Sequence, residues 1–225
     1  MKTQEEIEKL IFERKNKSHK SLSEYESLEI VRSFNIETAE TFLADDLSDA
    51  IKKADKIGYP VVVKGVVEGV MHKTEKGLVH PFIRSKDDLY KVIEENLPDC
   101  KQFLIQKQVS GIREIALGFV RDLTFGPTVV IAMGGIHSEL ISDSAFVLAP
   151  VEEKKAEEAI LRLKSSKMFG TYRGEKPVKM NLLVQLVKKV GEIAINCSSI
   201  QELDMNPVII QKDGTPVVCS ALIII

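Results

Sequence analysis

Between Leu47 and Gly77 the sequence spells out a helix, its stop, a strand and a loop. Leu47, Ala50, Ile51, Ala54 and Ile57 recur at helical spacing, Gly58 ends the stripe, and Pro60 prevents its continuation. The β-branched run Val61-Val62-Val63 then predicts a buried strand over 61–64 that ends in Lys64. Beyond it, Gly65, Gly69 and Gly77 surround His72-Lys73-Thr74. A lysine at a strand end is a point charge for phosphate oxygens. An imidazole on a glycine-loosened loop can act as a base, or as a nucleophile that accepts a phosphoryl group. Alone, a histidine among charged loop residues is an ordinary solvated side chain.

Composition bounds the rest. A chain of 225 residues buries a real core and has room for one large domain or two small subdomains. With 31 basic and 33 acidic side chains and a net charge of -2, no global basic field exists for nucleic acid or an anionic membrane. Cys100, Cys197 and Cys219 have no CxxC spacing, which argues against a disulfide framework or a zinc site and for a reducing cytoplasm. No apolar run of about 18 residues is present, and the N-terminus lacks a signal-peptide core.

In order, the pattern predicts a short amphipathic helix over 4–17 and a second over 22–33, with Ser21 and Glu24 as a capping box. A β-type run over 38–43, the helix 47–57 and strand 61–64 follow. Strand 78–83, a helix from Ser85 and strand 103–109 complete a small α+β layer. Residues 114–120, 128–133 and 146–148 read as antiparallel strands. Two helices, around 156–163 and 182–197, cover them and flank a polar loop, 165–179, holding Tyr172-Arg173-Gly174. We divide the chain into an N-terminal helix and tail (1–20), a first subdomain (21–108) and a second (109–225).

The last segment carries a second chemical signal. In Glu202-Leu203-Asp204-Met205-Asn206-Pro207 the period of a strand sets Glu202, Asp204 and Asn206 on one face. That face is either a hard-cation site or a solvated strand edge. Oxygen ligands suit Mg²⁺, which takes one or two protein groups plus nucleotide phosphates. A hairpin centred on Asp213-Gly214 returns the chain as 217–225 and sets Ser220 about opposite Asn206. Gln106, Lys107, Gln108 and Val109 end a strand where the halves join, as a purine-binding hinge or as an edge strand. Glu114 suits ribose hydroxyls or solvent. Arg173 steadies a phosphate or ties a loop, and Gly134-Gly135 is a turn first and a ligand contact second.

Several words in order make the chain resemble a known family. They are Gly58-Tyr59-Pro60-Val61-Val62-Val63-Lys64, His72-Lys73-Thr74-Glu75, Glu114 with Leu117-Gly118, Phe125-Gly126-Pro127, Gly134-Gly135-Ile136, Glu139, Leu148-Ala149-Pro150, Tyr172-Arg173-Gly174 and 202–207. From about Leu22 to the C-terminus the chain is similar to the ATP-grasp beta subunit of ADP-forming acetate–CoA ligases of the archaeal kind. The resemblance implies an α/β (α+β), two-subdomain ATP-grasp fold with a nucleotide cleft between the subdomains. It implies ATP or ADP and Mg²⁺ as cofactors and a CoA-binding alpha subunit as partner, in a heterotetramer. The implied reaction is acyl-CoA + ADP + phosphate = acid + CoA + ATP, through a phosphohistidine.

Residue by residue, the resemblance implies His72 as phosphoryl carrier and Lys64 on nucleotide phosphates. It implies Glu114 as the ribose-side carboxylate; the residues themselves, read as above, set Gln106, Lys107 and Val109 around the nucleoside and Lys73, Gly134, Gly135 and Arg173 as phosphate or loop support. Asn206, with Asp204 and Glu202, takes the metal. The chain departs from the family's pattern at Val67-Glu68-Gly69, where a Ser-Pro-Asp-like word is usual, and at Ser220, where an aspartate is common. A free-standing ATP-grasp carboxylate ligase and a non-catalytic nucleotide-binding or scaffold subunit are the alternatives.

Overall fold

The computed structural model describes residues 2–67, 77–135, 143–171 and 173–225. In chain order the elements are α1 (Gln4–Asn16), α2 (Glu24–Ser33), β1 (Thr41–Ala44), α3 (Leu47–Ile57), β2 (Val61–Val66), β3 (Val79–Ile83), α4 (Lys86–Asn96) and β4 (Gln102–Lys107). They continue with β5 (Arg113–Asp122), β6 (Gly126–Met133), β7 (Ser144–Leu148), α5 (Glu153–Arg162), a 3₁₀ turn (Ser166–Phe169), α6 (Met180–Asn196), β8 (Glu202–Ile210), β9 (Pro216–Val218) and β10 (Leu222–Ile224). Two compact units result, Ala39–Val109 and Met1–Thr38 together with Ser110–Ile225. Among the described residues no helix is long and apolar enough to cross a membrane.

The smaller unit is an antiparallel sheet in the order β1-β4-β2-β3. Ala44, Val61, Val63, Phe103 and Ile105 form one apolar core with Ala50 and Ala54 of α3 and Leu89 and Ile93 of α4. Both helices begin where side-chain oxygens accept backbone N–H groups, Asp46 from Asp49 and Ser85 from Asp88. Gly58, at φ 78°, closes α3 by donating to the Ala54 carbonyl. Strand β2 does not stop at Lys64 as the sequence suggested. It continues to Val66 because Gly65 passes where a Cβ would stand 2.6 Å from Cys100 Sγ, so only glycine keeps the strand paired with β4 there.

The larger unit is a six-stranded antiparallel sheet in the order β10-β8-β5-β6-β7, with β9 also on β8. Its inward residues, among them Ile115, Leu117, Phe119, Val129, Ile131, Leu203, Met205, Val208 and Ile210, share one core with apolar residues of α1, α2, α5 and α6. Glu114, Ala116, Val120, Val130, Ala132, Phe146, Leu148, Glu202, Asp204 and Asn206 alternate with them on the other face and are half-buried or exposed.

Other boundaries differ from the sequence reading as well. The capping box at α2 is Ser23 with Glu26, not Ser21 with Glu24, because Ser21 bridges Ile224 and its neighbour Leu22 donates to the Ile223 carbonyl. Residues 21–38, expected in the first subdomain, fall in the larger unit, since Leu28, Ile30 and Val31 fill its core and Thr38 bridges Val218. The return segment is two strands, interrupted between Val218 and Leu222, rather than one over 217–225.

Candidate functional site

One face of β8 gathers oxygen-bearing residues. Leu203 and Met205 point into the core, and Glu202, Asp204 and Asn206 stand on the other side. Against β5, Leu117 pairs with Met205 and Ile115 with Val208, so Asn206 and Pro207 together oppose the single residue Ala116. This bulge is where a residue without an N–H belongs, and it resets the inward phase to Val208 and Ile210. Burial, and then the charge of Glu202, push the Asp204 carboxyl above the ordinary aspartate value. Two carboxylates on one face with such a penalty fit a cation, whose opposite charge would favour the ionised form and offset it. Among the described residues no group of three or more His, Cys, Asp or Glu could hold a metal. The oxygen-bearing residues on this face that could meet a cation are Asp204 and Asn206 with Glu202 beside them, and Mg²⁺ takes only one or two protein ligands. Val208 pairs with Val218 and Asp204 with Leu222, and this common register carries Ser220 to the place across from Asn206.

Next to β8, Gly118 pairs with Asp204 and Val120 with Glu202. Together with Ala116, Val130 and Ala132 they floor a concavity of about 190 Å³ whose acidic wall is Glu202 and Asp204. At the far end of β5, Glu114 lies on the same face of the sheet as Ala116 and Gly118. The Gly134 N–H donates to the Glu114 carbonyl at 2.8 Å, and a Cβ on Gly135 would sit 4.0 Å from Glu114 Oε2. The structure thus brings Gly134 and Gly135, which follow β6, to Glu114 on the strand beside Asp204 and Asn206.

In the smaller unit, period-2 alternation sets Val62, Lys64, Leu104 and Gln106 on the face away from α3 and α4, and all four are buried. Lys64 pairs in register with Leu104 and Val79, and Gln106 donates to Thr41 Oγ1 at 2.9 Å. The Lys107 ammonium is committed to the carbonyls of Ile57 and Gly58 at the end of α3. Val109 is buried, with its carbonyl bonded by the Gln108 side chain. His72 and Lys73 lie outside the described residues, as do Tyr172, Ile136 and Glu139.

The sequence reading missed a buried pair at the base of β5. Arg113 is fully buried and donates to the carbonyls of Met168, Gly170 and Lys176. Its Nε lies 3.4 Å from Glu175 Oε2, an ion pair too poorly aligned to be a hydrogen bond, while Glu175 Oε1 accepts from the Ile112 N–H. The signal was present: Arg113 occupies the same strand phase as Ile115, Leu117 and Phe119. Between the anchored residues, Arg173 and Gly174 take left-handed conformations, φ 46° and 84°, and are exposed.

The ATP-grasp domain family matches residues 13–225. Over 223 residues the chain is 30% identical to subunit beta of acetate–CoA ligase (ADP-forming) I from Pyrococcus furiosus, covering 95% of this chain and 96% of that one. It is 32% identical over 216 residues to the ADP-forming 4-hydroxybutyrate–CoA ligase of Nitrosopumilus maritimus, covering 92% of this chain and 31% of that protein. The chain therefore spans about a third of the length of that relative. Acetyl-coenzyme A synthetase 1 of Ca. Korarchaeum cryptofilum has been solved with coenzyme A and Mg-AMPPCP, its phosphohistidine segment pointing towards the nucleotide binding site. It matches with a TM-score of 0.88 and 32% identity, covering 97% of this chain and 99% of that one.

Proposed function

Since the chain belongs to the ATP-grasp family, among the beta subunits of ADP-forming acid–CoA ligases, we propose that it is the nucleotide-binding, phosphoryl-transferring half of such a ligase. The reaction is acyl-CoA + ADP + phosphate = acid + CoA + ATP. The observation that carries this reading is the face of β8, where a carboxylate penalised by burial and by a like charge stands beside Asn206, one strand from Glu114.

His72 is the carrier. Its ring nitrogen attacks the phosphorus of an acyl phosphate formed on the partner; the bond from phosphorus to the carboxylate oxygen breaks, and the ring releases a proton. A β-phosphate oxygen of ADP then attacks the same phosphorus, the P–N bond breaks, and the ring regains its proton as ATP forms. Phosphoryl transfer asks the protein mainly for position and charge. Lys64 and Lys73 face phosphate oxygens, with Gly134, Gly135 and Arg173 in support. Glu114 takes the ribose hydroxyls, and the main chain of Gln106, Lys107 and Val109 takes the base. Asn206, Asp204 and Glu202 hold Mg²⁺, which when bound neutralises phosphate charge. The partner is a CoA-binding alpha subunit in a cytoplasmic heterotetramer.

The test is His72→Ala in the complex with that partner. ATP formation from acyl-CoA is lost, and Mg-ADP binding stays within about twofold, since loss of a transition-state group leaves ground-state binding intact. Wild-type turnover in the variant removes the carrier role. Ser220, across from Asn206 in place of a carboxylate, favours a second reading as a nucleotide-binding subunit without catalysis. That reading gains if wild-type His72 is never labelled by γ-labelled ATP.

A further inference from the structure

Arg113 joins two pieces of the larger unit that carry the proposed nucleotide groups. It opens β5 with its side chain in the core, and the next residue, Glu114, lies on the opposite face of the same strand. Its guanidinium holds both feet of the loop bearing Arg173, bonding Met168 and Gly170 on one side and Lys176 on the other. Glu175, 6% exposed, closes the clamp by pairing with Arg113 Nε and accepting from Ile112 N–H. Further bonds hold the second foot: Lys176 N–H to the Lys212 carbonyl, Val178 N–H to Phe169 and Lys179 N–H to Gly214. The loop is thus anchored at residues 168–170 and again at 175–179, with Arg173 and Gly174 at an exposed tip between.

We propose that Arg113 and Glu175 are positioning residues for phosphoryl transfer: they fix the tip of the loop so that the Arg173 guanidinium meets phosphate oxygens at a set distance from the Glu114 end of β5. The chemistry supports this division. A guanidinium binds phosphate through a planar fork whose value depends on orientation. A loop tip built on left-handed residues keeps an orientation only if its feet are held. A buried arginine with three carbonyl acceptors is costly to retain for stability alone, since a well-packed apolar pair of equal volume is often at least as stable. This inference rests on the ligase reading and adds to it the device that aims Arg173.

The experiment uses the complex with the CoA-binding partner and compares Arg173→Ala, Glu175→Gln and the double variant. The readouts are kcat for ATP formation, KM for ADP, and melting temperature. Arg173→Ala lowers kcat on the order of 100-fold, as for loss of one charge-stabilising donor. Glu175→Gln lowers kcat about tenfold or more through misplacement of the tip, with KM for ADP nearly unchanged. The double variant is no slower than Arg173→Ala, because the clamp acts through the arginine. A clamp that is only structural would lower the melting temperature and leave kcat per folded complex at the wild-type value, and that result overturns the inference, as does a double variant slowed by the product of the two single effects. If Glu175→Gln does not fold, Arg113→Lys makes the same comparison. A wild-type complex that forms no ATP from acyl-CoA defeats the ligase reading and this inference together; wild-type turnover with an unaffected clamp variant defeats this inference alone.

Discussion

Asp204→Asn separates what the β8 face does for stability from what it does for binding, and the two effects have opposite signs. Asp204 and Glu202 are two residues apart on one strand face, about 6.6 Å between Cα atoms. At that separation two unit charges repel by about 0.6 kcal/mol in water and about 2.5 kcal/mol at an effective dielectric constant of 20. Glu202 is exposed, so the lower half of that range applies, on the order of 1 kcal/mol. Because the Asp204 pKa is raised by burial and then by Glu202, its ionised form is penalised in the folded state. The penalty is present at neutral pH and is relieved as pH falls through the folded pKa towards the unfolded value near 3.8. The neutral, isosteric asparagine removes it, so without metal the variant melts about 2–4 °C higher at pH 7 for each kcal/mol gained, and the gain shrinks as pH is lowered. With Mg-ADP the order reverses. The wild type gains from ligand binding, whereas the variant, short of one anionic ligand, binds Mg-ADP on the order of tenfold more weakly and gains about 1.4 kcal/mol less. Melting curves at pH 7 and pH 5, each with and without Mg-ADP, make the test. A variant no more stable than wild type without metal refutes the electrostatic argument. Equal stabilisation of both proteins by Mg-ADP refutes the metal assignment.

Two further predictions concern the scaffold of this face. Arg121 donates to the carbonyls of Ala194 and Cys197 at the end of α6 and of Ile200 beyond it, and its guanidinium lies 5.8 Å from the Phe119 ring centre. Arg121→Met leaves those acceptors without their cation and costs on the order of 2–4 kcal/mol, read as a fall in urea midpoint with Mg-ADP affinity unchanged; no change in midpoint would show that water replaces the side chain. A methyl at Gly118 would stand 1.9 Å from the Leu203 carbonyl oxygen, on the neighbouring strand, so Gly118→Ala forces β5 and β8 apart beside Asp204. It costs on the order of 1–3 kcal/mol and weakens Mg-ADP binding, checked by melting and titration calorimetry; unchanged values for both would mean that the strands part without cost.

Most elements were legible because local signals and tertiary demands agree. The stripe of α3, its glycine stop and the β-branched run after it needed no information from elsewhere. Failures arose where a distant segment decides. Ser21 and Ser23 offer equivalent caps in sequence, and Ile224, two hundred residues on, takes Ser21 into a bridge. The membership of residues 21–38 was hidden for the same reason, since apolar periodicity identifies a helix without naming the sheet that covers its face.

The β8 face was readable because its chemistry and its geometry share one period: Glu202, Asp204 and Asn206 announce themselves by alternating with core residues. The arginines of β5 break that logic. Arg113 and Arg121 both occupy the inward phase with Ile115, Leu117 and Phe119, where a binary pattern expects an apolar side chain. Both resolve the conflict in one way, by spending the guanidinium on main-chain carbonyls at places where chain turns leave acceptors unpaired: the loop around Met168 and Gly170, and the end of α6. A cation in the apolar phase of a strand is therefore a sequence-level sign of carbonyls without partners in the fold. On β5 that sign marks two chain reversals, one of which leads into the loop of Arg173.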